Sequence, residues 1–184
     1  MFTKESIREQ MRKLRMALSE NDVSKASKAC VNRILSLAEY QEAKTIFLYA
    51  AVRNEVDVTP LLEHALKDGK QVAFPVSSEY GELDFYAVFD RGDFHKGKFG
   101  ILEPPKDILV LPDEDTMVLV PAVAFDIRKN RIGQGKGYYD RYFDRYPDAL
   151  RIGVAYDFQI VDAFETGRHD KQMDFIVTNT QIIV

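Results

Sequence analysis

The chain has 184 residues, 46% of them hydrophobic and 29% charged, with 25 basic and 29 acidic side chains giving a net charge of −4. That length suits one domain with its own core, and the composition excludes a disordered or fibrous chain. The mild acidity argues against a general nucleic-acid binder, and the single cysteine excludes an internal disulfide and a cysteine-based zinc site.

The opening stretch MFTKESIREQ is charged at once, and no run approaches the roughly 18 apolar residues of a membrane span. A cytoplasmic protein is expected. Ile7, Met11, Leu14 and Leu18 fall at spacings of 4, 3 and 4, the stripe of an amphipathic helix beginning after Thr3, with Lys4, Arg8, Arg12 and Arg15 on a neighbouring row. SEND at 19–22 has the pattern of a capping box, so a second helix is expected from there towards Leu37. TIFLYAAV at 45–52 reads as a strand buried on both faces. Thr59-Pro60 opens the next helix, which ends at Gly69. Strands are expected at 71–76, at 83–89 nearer an edge, and at 117–126, with 90–116 mostly loop. After a glycine-rich segment, YYDRYFDRY makes about two helical turns before Pro147, and 150–157 and 174–179 supply two last strands. Strands alternating with helices imply a single α/β domain over 1–184, Rossmann-like and doubly wound, with a mostly parallel sheet covered on both faces.

Residues 133–140 read GQGKGYYD and place three of the ten glycines within five positions. A strand, a glycine turn and a helix together form an anion site, because convergent N–H groups and the helix amino end attract negative charge, and Lys136 adds a full positive one. The spacing fails both the P-loop pattern and the dinucleotide fingerprint, and a plain structural turn remains open. Asp140, one turn into the helix, is placed to bind Mg²⁺ beside phosphate or simply to face the helix dipole. Tyr138 and Tyr139 either stack on a flat ring or cover the sheet; Lys4 and Arg8 either reach phosphates as an i,i+4 pair or form a solvated face. Glu55 falls just past the end of the first strand, at the rim where such sheets bind ligands. His64, His95 and His169 are scattered and Cys30 reads as packing, so nucleophilic catalysis finds little support, whereas Lys, Arg, Asp and backbone amides suit phosphoryl transfer.

VPAVAFDIRKNRIGQGKGYYDRYF closely resembles the signature of the 5-formyltetrahydrofolate cyclo-ligases, and KESIR, NEVD, FGILEPP and HDKQMDFIVT extend the resemblance over nearly the whole chain. The resemblance implies an ATP- and Mg²⁺-dependent closure of 5-formyltetrahydrofolate to 5,10-methenyltetrahydrofolate through a phosphorylated imidate. It implies ATP contacts at Lys4, Arg8 and the loop Gly133, Gln134, Gly135, Lys136, Gly137, Tyr138, Tyr139 and Asp140, with Gln134, Lys136 and Tyr138 beside the chemistry. Asp140 and Asp170 resemble the metal ligands, and Glu55, Phe99 and Tyr138 the folate contacts. The loop usually carries arginine where this chain has Gln134, which removes a guanidinium fork beside the transferring phosphate. The partners expected are thus small molecules, with no nucleic acid and no membrane, and the protein is expected to act as a monomer. The rival readings are a sugar-phosphate-binding or isomerase-like α/β protein and a non-catalytic nucleotide-binding regulator.

Overall fold

A computed structural model describes residues 3–78, 80–97 and 101–184. Three helices come first: α1 (Lys4–Met16), α2 (Glu20–Leu35) and α3 (Ala38–Glu42). The hydroxyls of Thr3 and Ser19 accept the backbone N–H groups of Ser6 and Asp22 and so cap α1 and α2. α1 departs from its expected stripe: it buries Ile7, Met11 and Arg15, while Leu14 is 43% exposed. A guanidinium takes the inward turn because a carboxylate and two backbone carbonyls await it inside the protein.

Eight strands form the main sheet in the spatial order β13 (Ile182–Ile183), β12 (Phe175–Val177), β10 (Leu150–Val154), β7 (Thr116–Pro121), β1 (Thr45–Phe47), β2 (Gln71–Ser77), β3 (Leu83–Ala87) and β6 (Leu109–Val110). The five from β12 to β2 run parallel, and β13, β3 and β6 add antiparallel edges. The mostly parallel sheet read from the element order is therefore present. Helix α4 (Pro60–Lys67) links β1 to the parallel β2, with Pro60 in its first turn and Gly69 at φ +74° just past its end.

Side chains alternate across the sheet with period two. Ile46, Leu48, Met117 and Leu119 pack with α2 and α4, whereas Phe47, Val118 and Val120 pack with α5 (Tyr138–Arg145). Phe47 stacks on Phe85 with ring centroids 4.4 Å apart. From β1 the chain winds outward to β2, and from β7 it winds the other way to β10 and β12. The direction reverses between β1 and β7, and beyond their carboxyl ends lies the crevice in which such sheets bind ligands.

The single strand expected over 117–126 is two strands. β7 ends at Pro121, and β8 (Ala124–Asp126) belongs to a second sheet, between β11 (Ile160–Val161) and β9 (Arg131–Ile132). At the break, the Gln159 side-chain amide donates to the carbonyls of Ala122 at 3.0 Å and Val123 at 2.8 Å, satisfying acceptors that have left the main ladder. Residues 90–116 are not uniformly loop: a 3₁₀ turn spans Arg91–Asp93, β4 (His95–Lys96) pairs with β5 (Leu102–Glu103), and β6 closes one edge of the main sheet. The expected strand at 150–157 stops at Val154, before a 3₁₀ turn at Asp157–Gln159. Helix α1 rests on the small sheet, with Ile7 and Met11 against Val123, Ala124 and Ile132. Among the described residues no helix is long and apolar enough to cross a membrane.

Candidate active site

The glycine segment is carried by the β8–β9 hairpin. Asp126, fully buried, holds that turn: Oδ1 accepts the backbone N–H groups of Arg128 and Asn130, Oδ2 accepts the Asn130 amide, and Lys129 takes φ +67°. The hairpin delivers Arg131 and then Gly133 to Gly137. Gly135 and Gly137 hold φ values of +94° and +66°, and Gly137 is the N-cap of α5. Each loop glycine also lies beneath a guanidinium. A Cβ at Gly133 would stand 2.8 Å from Arg131 Nη1, one at Gly137 2.9 Å from Arg141 Nη1, and one at Gly135 3.7 Å from the Arg8 guanidinium. The glycines therefore make room for cations as well as for backbone.

Charge gathers around this loop. Arg8 Nε donates to the Gly133 carbonyl at 3.0 Å, and Lys4 forms an ion pair with Asp170. Arg131 Nη2 donates to Asp140 Oδ2 at 2.9 Å, and Asp140 Oδ1 accepts the Lys171 N–H at 3.2 Å. Burial pushes the Asp170 carboxyl up, but the Lys4 ammonium, the Gly167 N–H and Arg131 outweigh it and hold the group below the ordinary carboxylate range. Asp140 is thus paired with Arg131 and Asp170 with Lys4, and the Arg131 charge also acts on Asp170. Among the described residues no group of three or more His, Cys, Asp or Glu side chains is disposed to hold a metal ion. Two carboxylates beside an anion loop nevertheless fit Mg²⁺, which commonly takes one or two protein carboxylates and completes its shell with water and phosphate oxygens.

On the other side of the crevice, the loop after β1 turns through Arg53 and Asn54 at φ +50° and +57° and tucks Glu55 inside, 9% exposed. Glu55 Oε2 accepts the Val52 N–H at 3.2 Å, and Oε1 lies 3.5 Å from Arg15 Nη1. Arg15 also donates to the carbonyls of Arg53 and Ala122. Burial pushes the Glu55 carboxyl above its ordinary value, and Arg15, the Val52 N–H and Arg53 oppose that shift without cancelling it. Burial likewise raises the Tyr49, Tyr139 and Tyr156 hydroxyls, and the Glu55 charge adds to each. The Tyr139 ring lies 5.4 Å from the Arg131 guanidinium, and its hydroxyl also feels the Glu55 charge, so Tyr139 stands between the two regions.

The structure thus brings Lys4, Arg8, Gly133–Asp140 and Asp170 together at one end of the crevice and sets Glu55 at the other. Gln134 and Lys136 are exposed on the loop, and Tyr138 lies 5.7 Å from the Arg141 guanidinium. Phe99 falls outside the described residues. Four contributors had not been singled out: Arg15, Asp126, Arg131 and Arg141. Arg131 stands two residues before the first loop glycine and Arg141 one helical turn after the last, so their spacing carried a signal. Arg15 had none, because it occupies a place where the sequence pattern put a basic row.

Comparison with known proteins bears on this arrangement. The profile of the 5-formyltetrahydrofolate cyclo-ligase family matches residues 1–179. A 5-formyltetrahydrofolate cyclo-ligase of Haemophilus influenzae is 30% identical over 91% of this chain and 92% of its own length. Among solved structures, the 5,10-methenyltetrahydrofolate synthetase of Aquifex aeolicus superposes with a TM-score of 0.85 at 36% identity, covering 97% of this chain and 91% of that one. The synthetase of Mycoplasma pneumoniae gives 0.76 at 28% identity, covering 97% and 99%. The sheet, the crevice and the loop thus agree with the sequence signature, and the chain belongs to the 5-formyltetrahydrofolate cyclo-ligase family.

Proposed function

We propose that the protein closes 5-formyltetrahydrofolate to 5,10-methenyltetrahydrofolate with ATP and Mg²⁺, releasing ADP and phosphate. The observation that carries this reading is a glycine loop lined by guanidinium groups, with a buried carboxylate just past the end of β1. The formyl oxygen is a poor leaving group. Its attack on the γ-phosphorus forms a P–O bond while the bond to ADP breaks, and the oxygen becomes part of a phosphorylated imidate. N10 then bonds to the formyl carbon, the C–O bond breaks with its electron pair leaving on phosphate, and N10 gives up its proton.

Lys4, Arg8, Lys136 and the N–H groups of Gly133 to Tyr139 hold the phosphates, with Gln134 and Tyr138 beside the transferring group. Asp140 and Asp170 would supply oxygen ligands for Mg²⁺, which would neutralise phosphate charge. Glu55 accepts hydrogen bonds from the pterin, and Tyr138 lines its surroundings. Positioning and charge stabilisation suffice for such a transfer.

The test is incubation with 5-formyltetrahydrofolate, ATP and Mg²⁺, following methenyl absorbance and ADP together. One ADP per methenyl product is expected, with no product when either substrate is left out. Nucleotide binding without turnover would replace this reading with a non-catalytic regulator, and ATP-independent isomerisation of a sugar phosphate would replace it with the isomerase reading.

A further inference from the structure

The three guanidinium groups over the loop glycines are not equivalent. Arg131 is paired with Asp140 at 2.9 Å and Arg8 with Glu5 at 3.1 Å. Among the described residues Arg141 has no carboxylate within ion-pair distance. It is nonetheless held in place: Nε and Nη2 both donate to the Gly81 carbonyl, at 3.0 and 2.6 Å, Nη2 also donates to the Lys136 carbonyl at 2.8 Å, and the guanidinium lies over the Tyr138 ring. The remaining nitrogen, Nη1, donates to none of the described residues and faces the open side of Gly137. One edge of the fork is anchored and the other is presented to the loop.

We propose that Arg141 is a further substrate-binding residue for the reaction, its Nη1 donating to a phosphate oxygen of the nucleotide seated on the glycine loop; this rests on the ATP-dependent reading above. Three features support it. An unneutralised positive charge at the amino end of a helix works against that helix's own dipole, so its placement there is explained by an anion that both attract. Anchoring through Nε and Nη2 fixes the rotamer in advance, which lowers the entropy lost when a ligand binds. Gly137, at φ +66° and without a side chain, leaves the space into which Nη1 points. Arg141 thereby adds a cation to a loop whose second residue, Gln134, is neutral.

The experiment is calorimetric titration of MgATP, and separately of 5-formyltetrahydrofolate, into the wild-type protein and the Arg141→Gln and Arg141→Lys variants, with thermal unfolding measured on each. Glutamine keeps an amide donor for the Gly81 carbonyl while removing the charge. Arg141→Gln is expected to weaken MgATP about tenfold and to flatten the salt dependence of its binding, while folate affinity stays within about twofold. Arg141→Lys should recover part of the loss. MgATP affinity within twofold of wild type in Arg141→Gln overturns the assignment, as does an equal loss for both ligands, which marks Arg141 as a tie between the loop and the β2–β3 turn only. Failure of the wild-type protein to bind MgATP overturns the proposed activity and this assignment with it.

Discussion

Asp140 is occupied on both oxygens, by a guanidinium and by a backbone N–H, and its main partner Arg131 is buried. Asp140→Asn leaves that guanidinium without its counter-charge, so urea unfolding should show a loss of about 1.5 to 3 kcal/mol, and more Mg²⁺ should be needed for half-maximal turnover. Unchanged values for both would return Asp140 to the role of a helix-dipole partner. Gln134→Arg adds a guanidinium beside the phosphates and should lower the KM for ATP modestly, since other cations already serve the loop; a higher KM in a folded variant would show that position 134 faces elsewhere. Glu55 carries a pH signature. Its folded pKa is raised above the ordinary 4.5, chiefly by burial, so the folded protein binds a proton where the unfolded chain has lost one. The stability this contributes is present in acid and is lost as the pH rises through the raised pKa. Folate binding runs the other way, because only the ionised carboxylate accepts two donors, and affinity should fall as the pH drops through that same value. Arg15→Met removes the largest opposing influence and should move this acid limb to higher pH, while Arg15→Met combined with Glu55→Gln should abolish it; an unmoved limb in the single variant would mean that Arg15 does not govern Glu55, leaving Arg53, Tyr49, Tyr139 and Tyr156 as the neighbours that do. Gly135 and Gly137 were legible in the sequence because glycine enters left-handed backbone at the least cost. Arg15 was not, since its burial depends on a carboxylate 40 residues away.

Caps and breakers identified elements well, because their physics is local. Thr3, Ser19, Pro60 and Gly69 all stand at helix ends, as their types require. Helix α3, with five residues, is too short to show a period. The break between β7 and β8 was hidden for another reason: an apolar run looks the same whether it stays in one sheet or crosses to a second, and what fixes the crossing is Gln159, more than 30 residues later. The two sheets meet closely at Gly153 in β10, where an added Cβ would lie 2.6 Å from the Phe125 ring of β8. Gly153→Ala should therefore cost about 1 to 3 kcal/mol in unfolding free energy and weaken ligand binding as well, because β8 carries the hairpin that presents the loop. Full stability would show that Phe125 can swing clear, and lost stability with intact ligand affinity would show that the strain does not reach the hairpin.

For the molecule as a whole, the alternation of strands and helices made the parallel sheet legible, whereas its antiparallel edges were not, because two-residue strands such as β6 and β13 carry no pattern of their own. The core they close offers a direct measure of global stability. Cys30 is fully buried, its thiol donates weakly to the Ala155 carbonyl, and burial pushes its pKa up to about 12. Thiol reagents should label it only at the rate of global opening, in parallel with urea unfolding monitored by circular dichroism; rapid labelling of the native protein would place the weakest point of the fold beneath α2. The tie between Lys4 and Asp170 reaches further. It joins residues 166 positions apart, and Arg8 meets Gly133 across 125. Contacts so distant cannot form while the chain is still being synthesised up to its middle: α1 emerges from the ribosome long before either partner and must wait, solvated, for the loop and the aspartate that complete it. Folding of the site is thus governed by the slow closure of long loops rather than by the fast formation of helices, and a nascent chain completes the cationic surround of its glycine loop only among the last steps of synthesis.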